Sequence, residues 1–285
     1  MKKYMKIQNH SHFVFGRVLA VAVTCLAFQS VHAQLLFSDA FNYTPGTTLG
    51  GNINPGNSVA WSGGNAVLSI GSADLTYPGL PDQGGNDLLY TSGVAASTTY
   101  NTFSAVTSGS IYYSFLIDCT TLPTANNYIT ALNPSPTVPG GSGDALSTYV
   151  GASGSGWKIG VRTTGGGSGA AYSGALTLNT TYFVVEELTL GSAPVVNLYL
   201  DPVPGGTQPG TPTATQSTTT AITTVSDVGF KAQSAATAGD FAIDNLLIGV
   251  TWADVTPGTV PEPSTLALMG VGLLGLAARF RRARR

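Results

Sequence analysis

Acid–base or covalent chemistry in this chain would have to come from a short set of side chains, led by the adjacent carboxyls Glu186 and Glu187 and the thiol of Cys119. A retaining glycosidase needs two carboxyls about 5 Å apart in one cleft, flanking the bond to be cut. Neighbouring residues in a strand point to opposite faces, so Glu186 and Glu187 cannot form that pair. A thiol becomes a nucleophile when a base or cation lowers its pKa. His10, His12 and His32 all precede residue 34, ahead of the expected mature domain, so Cys119 reads as a buried, inert thiol and histidine-ligated zinc is not expected. Asp39, Asp240 and Asp244 could supply oxygen ligands to calcium or serve turns and caps, the latter being the more common use of such residues. No other cofactor is indicated. Trp61, Trp157 and Trp252 could stack on sugar rings, with Tyr112, Tyr149 and Tyr172 beside them, or pack inside the fold.

The charge distribution narrows the partners. The whole chain carries a formal −2, but between residues 34 and 260 the basic residues are Lys158, Arg162 and Lys231 against thirteen acidic ones, so three minus thirteen gives −10. Such a surface repels phosphate backbones, and nucleic acid is excluded as a partner. Cys25 lies in the N-terminal apolar run, which leaves Cys119 with no intrachain disulfide partner. Stability must come from a hydrophobic core, which a domain of this length can bury.

The elements that position these residues read as strands. The 36 glycines, with abundant Ser, Thr, Asn and Pro, describe short strands joined by turns. β-Branched and aromatic runs bounded by turn residues lie at 66–70, 88–91, 111–118, 128–132, 157–163, 181–190, 195–201, 228–231 and 241–250. They predict an all-β, two-sheet sandwich. Gly191-Ser192-Ala193-Pro194 between two of these runs predicts a β-hairpin, with Val196, Leu198 and Leu200 on its core face. Segments 165–169 and 205–224 read as loops.

Both ends carry targeting patterns. Lys2, Lys3, Lys6 and Arg17, an apolar run over 18–28, and Val31-His32-Ala33 make a secretory signal, with signal peptidase expected to cut between Ala33 and Gln34. At the other end Pro261-Glu262-Pro263 precedes the apolar stretch 264–278, and then come Arg279, Arg281, Arg282, Arg284 and Arg285. That stretch predicts a transmembrane helix about 22 Å long, whose arginines stay cytoplasmic by the positive-inside rule. Prolines on either side of Glu262 keep the approach to it extended, as a protease requires.

In its three parts and their order, this end resembles the PEP-CTERM sorting signal of Gram-negative bacteria. The resemblance implies that exosortase, a membrane protease, reads Pro261, Glu262 and Pro263, and that the chain pauses in the inner membrane before reaching the cell surface or extracellular matrix. The expected plan is a signal peptide over 1–33, a β-domain over 34–256, and a sorting segment over 257–285.

A second resemblance rests on Phe37-Ser38-Asp39-Ala40-Phe41-Asn42-Tyr43-Thr44-Pro45-Gly46, Leu49 and Trp61 near the start of the domain. Asn197-Leu198-Tyr199-Leu200-Asp201-Pro202 and Phe241-Ala242-Ile243-Asp244-Asn245-Leu246-Leu247-Ile248-Gly249 carry it near the end. The domain is similar to the concanavalin A-like, LamG-like jelly roll, whose members bind carbohydrate or protein, hydrolyse glycans or act as spacers. Its enzymes place acidic residues at alternating positions of one strand, and that trio is missing here. The first expectation is therefore a non-enzymatic surface or matrix protein associated with exopolysaccharide or envelope components. A carbohydrate-binding module is the alternative, and a glycan hydrolase stands behind both.

Overall fold

The computed structural model describes residues 35–64, 68–91, 96–136, 143–164, 169–232 and 239–258. The expected signal helix and cut at Ala33 and Gln34, the sorting residues Pro261, Glu262 and Pro263, the membrane helix 264–278 and the arginine tail lie outside them.

In chain order the first strands are β1 (Leu35–Asp39), β2 (Ser62–Gly63), β3 (Leu68–Ile70), β4 (Leu88–Tyr90), β5 (Ser97–Val106), β6 (Ser110–Thr121), β7 (Asn127–Asn133) and β8 (Leu146–Ser153). There follow β9 (Gly156–Thr163), β10 (Ala171–Tyr172), β11 (Tyr182–Thr189), β12 (Val195–Leu200), β13 (Ala214–Ser217), β14 (Val225–Ala232), β15 (Asp240–Gly249) and the short helix α1 (Trp252–Val255).

The strands form two antiparallel sheets, the two-sheet sandwich expected. One has eight strands in the order β13-β12-β11-β6-β15-β4-β3, with β1 also on β15; the other has seven in the order β10-β9-β8-β7-β14-β5-β2. Strand β15 is long enough for β4 to pair with Phe241–Ile243 and β1 with 246–249. Between these two stretches its register against β6 shifts, and Asn245 takes a left-handed φ of 52°. This is a bulge at a residue type that tolerates that conformation.

Alternation along each strand sends one set of side chains into the core between the sheets. Ile111, Tyr113, Phe115 and Ile117 from β6 meet Ile129, Leu132, Val150, Ile159, Val161 and Phe230 from the opposite sheet. The Tyr90 hydroxyl donates to the Ile129 carbonyl across the gap at 3.0 Å, and Tyr113 shares a hydrogen bond with Thr130 at 2.7 Å. The start of the domain is tied in by Asp39. Its carboxylate accepts from the Phe41 backbone, the Tyr43 hydroxyl, the Asn54 amide and the Trp61 indole at 2.6–2.8 Å.

The outer face of the eight-stranded sheet is also buried. Leu116, Phe183, Val185 and Leu247 form a second core there with Leu75, Trp252 and Val255. Helix α1 is held by a capping box between Thr251 and Asp254, and the Ser114 hydroxyl donates to the Val255 carbonyl at 2.8 Å.

The expected hairpin is β11–β12, in register from Thr189 against Val195 to Val184 against Leu200. Val196 and Leu198 are buried in the main core and Leu200 packs against it. Tyr199, on the other face, is buried in the second core rather than open to water.

Several elements differ from expectation. The segment 205–224 contains a strand, β13, which pairs with β12 as a sheet edge while Thr215 donates to the Asn197 side chain at 2.8 Å. Of the expected loop 165–169, only Gly169 is among the described residues. Strands β1, β2, β5, β8 and β10 lie outside the runs that the sequence marks as strands. In β5 the buried positions are Ser97, Thr99 and Asn101, polar residues that give no hydrophobic alternation, and Val106 at its end. Thr99 donates to the Ser62 carbonyl and Asn101 to the Val59 carbonyl, which satisfies them inside the fold.

Glu186 sits in the main core with no exposure, its two oxygens each 2.9 Å from the Thr148 hydroxyl. Burial pushes its carboxyl up to about 8 from an ordinary 4.5. The folded state therefore holds a proton that the unfolded chain releases above pH 4.5. The resulting stability is full below that pH and is lost as pH rises through about 8, a loss on the order of a few kcal/mol. Glu186→Gln removes the titration but keeps the shape. Urea denaturation at acid, neutral and alkaline pH is expected to find the variant gaining on the wild type as pH rises, and equal slopes for the two would reject the assignment.

Candidate functional site

Strand β9 turns Trp157, Ile159 and Val161 into the main core, so Lys158, Gly160 and Arg162 face outward. The cross-strand register carries that outward face along the seven-stranded sheet. Tyr172 of β10 pairs with Gly160, Gly160 with Tyr149 of β8, and Tyr149 with Tyr128 of β7. Lys231 of β14 continues the row, its ammonium 5.4 Å from the centre of the Tyr128 ring. A second row runs Arg162, Ser147, Ala131, Gly229, Tyr100.

The basic residues between positions 34 and 260 are Lys158, Arg162 and Lys231, and all of them stand on this face. Each is set against a tyrosine. The Lys158 ammonium lies 4.2 Å from the centre of the Tyr172 ring, within cation–π range. Arg162 donates to the Tyr149 hydroxyl at 3.4 Å, and the Tyr128 and Tyr149 ring centres are 5.6 Å apart. Asp144 lies beside this row, accepting from the Tyr128 hydroxyl and from Ser147.

Two glycines make the arrangement possible. A Cβ at Gly160 would come within 2.5 Å of the Tyr172 ring and 2.6 Å of the Ala171 carbonyl oxygen. A Cβ at Gly151 would meet the Lys158 stem at 3.2 Å and the Asn126 side chain at 2.1 Å. The absence of side chains there lets the Tyr172 ring and the Lys158 stem lie across their neighbouring strands.

The residues singled out from sequence are placed differently. Trp61, Trp157 and Trp252 are 1, 0 and 8% exposed, so none offers a ring face to a sugar. Trp61 packs on Phe37 and Phe230, while the Trp157 indole donates to the Thr177 carbonyl and that of Trp252 to Gly206. Sandwich packing claims these large rings because they bury the most apolar surface. Tyr112 is likewise buried, on the other sheet, whereas Tyr149 and Tyr172 stand on the outer face described above.

The three calcium candidates do not converge. Asp39, opposite Leu246, points into the main core, and Asp244 points into the second, where it accepts from the Leu75 and Asn245 backbones. Asp240 stands at the far end of β15, about 20 Å along the strand from Leu246. Among the described residues no group of three or more His, Cys, Asp and Glu is placed to hold a metal ion.

Glu186 and Glu187 do face opposite ways. Glu187 accepts from Ser110 and Tyr112 on one oxygen and from Asn197, Tyr199 and Gln208 on the other. These contacts pin the segment around Gln208 onto the sheet. Cys119 is 1% exposed, its thiol donates to the Thr121 carbonyl at 3.3 Å, and burial pushes it up to about 12.

Residues 259–282 match the PEP-CTERM protein-sorting motif. The chain carries this sorting motif. The match takes in Pro261, Glu262, Pro263, Arg279, Arg281 and Arg282, and Arg284 and Arg285 follow it. No curated protein matches the chain. Among solved structures, the calreticulin globular domain of T. cruzi has a TM-score of 0.47 at 13% identity, over 78% of this chain and 90% of its own. Alginate lyase Aly36B has a TM-score of 0.47 at 14% identity, over 75% of this chain and 96% of its own. The exoplasmic/lumenal domain of VIP36 in its Ca2+/Man-bound form has a TM-score of 0.43 at 10% identity, over 76% of this chain and 92% of its own. What these proteins bind or cleave is a property of theirs.

Gly160→Ala is expected to push the Tyr172 ring off β9 and to lower stability by about 1 to 3 kcal/mol, read from thermal unfolding. An unchanged midpoint would mean that β10 does not depend on that close approach.

Proposed function

We propose that this chain is an exported, non-enzymatic protein of the cell surface or extracellular matrix. Signal peptidase releases it between Ala33 and Gln34, residues 264–278 and the arginine tail hold it in the inner membrane, and exosortase then processes it at Pro261-Glu262-Pro263. The observation that carries this reading is the sorting motif over residues 259–282. Its non-enzymatic part is supported by Glu186 being enclosed in the core, by both Glu187 oxygens being taken up by hydrogen-bond donors, and by the high pKa of the Cys119 thiol.

A carbohydrate-binding role is the second reading. Tyr149 and Tyr172, half-exposed on the outer face of the seven-stranded sheet, favour it, because amphipathic rings beside polar side chains suit sugars.

Intact mass spectrometry of the protein from its native host tests the first reading. The expected species begins at Gln34, ends near 261–263, and is found at the surface or outside the cell. Glu262→Ala is expected to leave the Arg285-containing form in the inner membrane. A wild-type protein that keeps Arg285 and stays in that membrane would overturn sorting.

A further inference from the structure

We propose that the outer face of the seven-stranded sheet binds an extended strand of carboxylated polysaccharide, with Lys158, Arg162 and Lys231 taking successive carboxylates and the half-exposed Tyr149 and Tyr172 supporting the sugar rings. This rests on the carbohydrate-binding reading above and names the class of saccharide.

The first support is charge placement. A stretch with thirteen acidic residues and three basic ones has all of its cations on one face of one sheet. Lys158 and Arg162 are four residues apart on β9, about 13 Å at ~3.3 Å per residue. Lys231 lies three strands away, about 14 Å at ~4.8 Å per strand. Cations so spread do not converge on one small anion. They match a polymer that repeats its charge.

The second support is the way each cation is presented. Lys158, Arg162 and Lys231 are half-buried and braced against Tyr172, Tyr149 and Tyr128, which reduces the rotamer freedom lost on binding. The Arg162 guanidinium offers a planar fork suited to a carboxylate. Beneath these groups lie the small residues Ser147, Ala131, Gly229, Gly151 and Gly160, and the Tyr172 ring and the Lys158 stem lie flat over the last two. Asp144 and Asp227 are enclosed on the same side, so the face carries three cations against two carboxyls, a net positive patch in a domain of the opposite sign. At physiological salt a charge is screened over about 8 Å, so a ligand on this face responds to the nearby cations more than to the acidic residues elsewhere.

The test is binding of the full-length chain in detergent to immobilised polygalacturonate, with dextran as the uncharged comparison and single-stranded DNA as a non-saccharide polyanion. The basic ends remain in every variant, so the difference between variants reports on the face alone. Replacing both lysines, Lys158→Gln with Lys231→Gln, is expected to weaken polygalacturonate binding about ten-fold, as two contacts of under 1 kcal/mol each imply. The pair Lys158→Arg with Lys231→Arg is expected to retain it. If the glutamine pair loses its β-sheet circular dichroism, Lys231→Gln alone is measured, with about a three-fold loss expected. Equal, lysine-independent binding of polygalacturonate and dextran would overturn the choice of anion and leave carbohydrate binding standing. Absence of binding to both saccharides would overturn both. DNA binding that matches polygalacturonate and falls with the same variants would overturn the saccharide assignment.

Discussion

The eight-stranded sheet buries side chains on both of its faces, and the rest of the domain is arranged around that demand. Strand β6 contributes Ile111, Tyr113, Phe115 and Ile117 to the core between the sheets, and Tyr112 and Leu116 to the core beneath α1 and the segment around Leu75. A strand enclosed on both sides can hold a polar group only where donors or acceptors meet it. Glu187 is met by five donors, Asp244 by the Leu75 and Asn245 backbones, and Ser114 finds the Val255 carbonyl. Glu186 has only Thr148, and its carboxyl responds by keeping its proton.

Among the described residues both faces of that sheet are largely covered, which shifts attention to its partner. The seven-stranded sheet buries one face and leaves Lys158, Arg162, Tyr149 and Tyr172 half-exposed on the other. Placing them together depends on backbone details rather than on apolar burial. Gly160 lets the Tyr172 ring cross β9 and Gly151 lets the Lys158 stem cross β8, while a register shift between Tyr128 and Thr130 turns Tyr128 outward beside Tyr149.

The same contrast explains which strands could be read in advance. Strands buried on both faces are nearly continuous apolar runs, as in β6, β11 and β15, and such runs stand out. Strand β5 hides Ser97, Thr99 and Asn101, the last two of which bond to the segment before it, so the usual alternation is absent. Strand β13 is a short threonine-containing edge held by β12, with a composition that also suits a loop. The tryptophans show the limit of reading residue type without position. Their rings suit a sugar platform and a core equally well until the packing around them is known.

By itself the sequence determined the all-β class, the hairpin at 191–194, the opposite faces of Glu186 and Glu187, and the sorting signal at the C-terminal end. Each of these follows from local order along the chain: strand alternation, turn residues, or a motif contained within some two dozen residues. The convergence of Lys158, Arg162 and Lys231 with Tyr128, Tyr149 and Tyr172 was decided by tertiary structure alone. Those residues come from β7, β8, β9, β10 and β14, and only the register between strands sets which of them share a row. The burial of Trp61, Trp157 and Trp252 was decided in the same way, because a ring's environment depends on elements far from it in the chain.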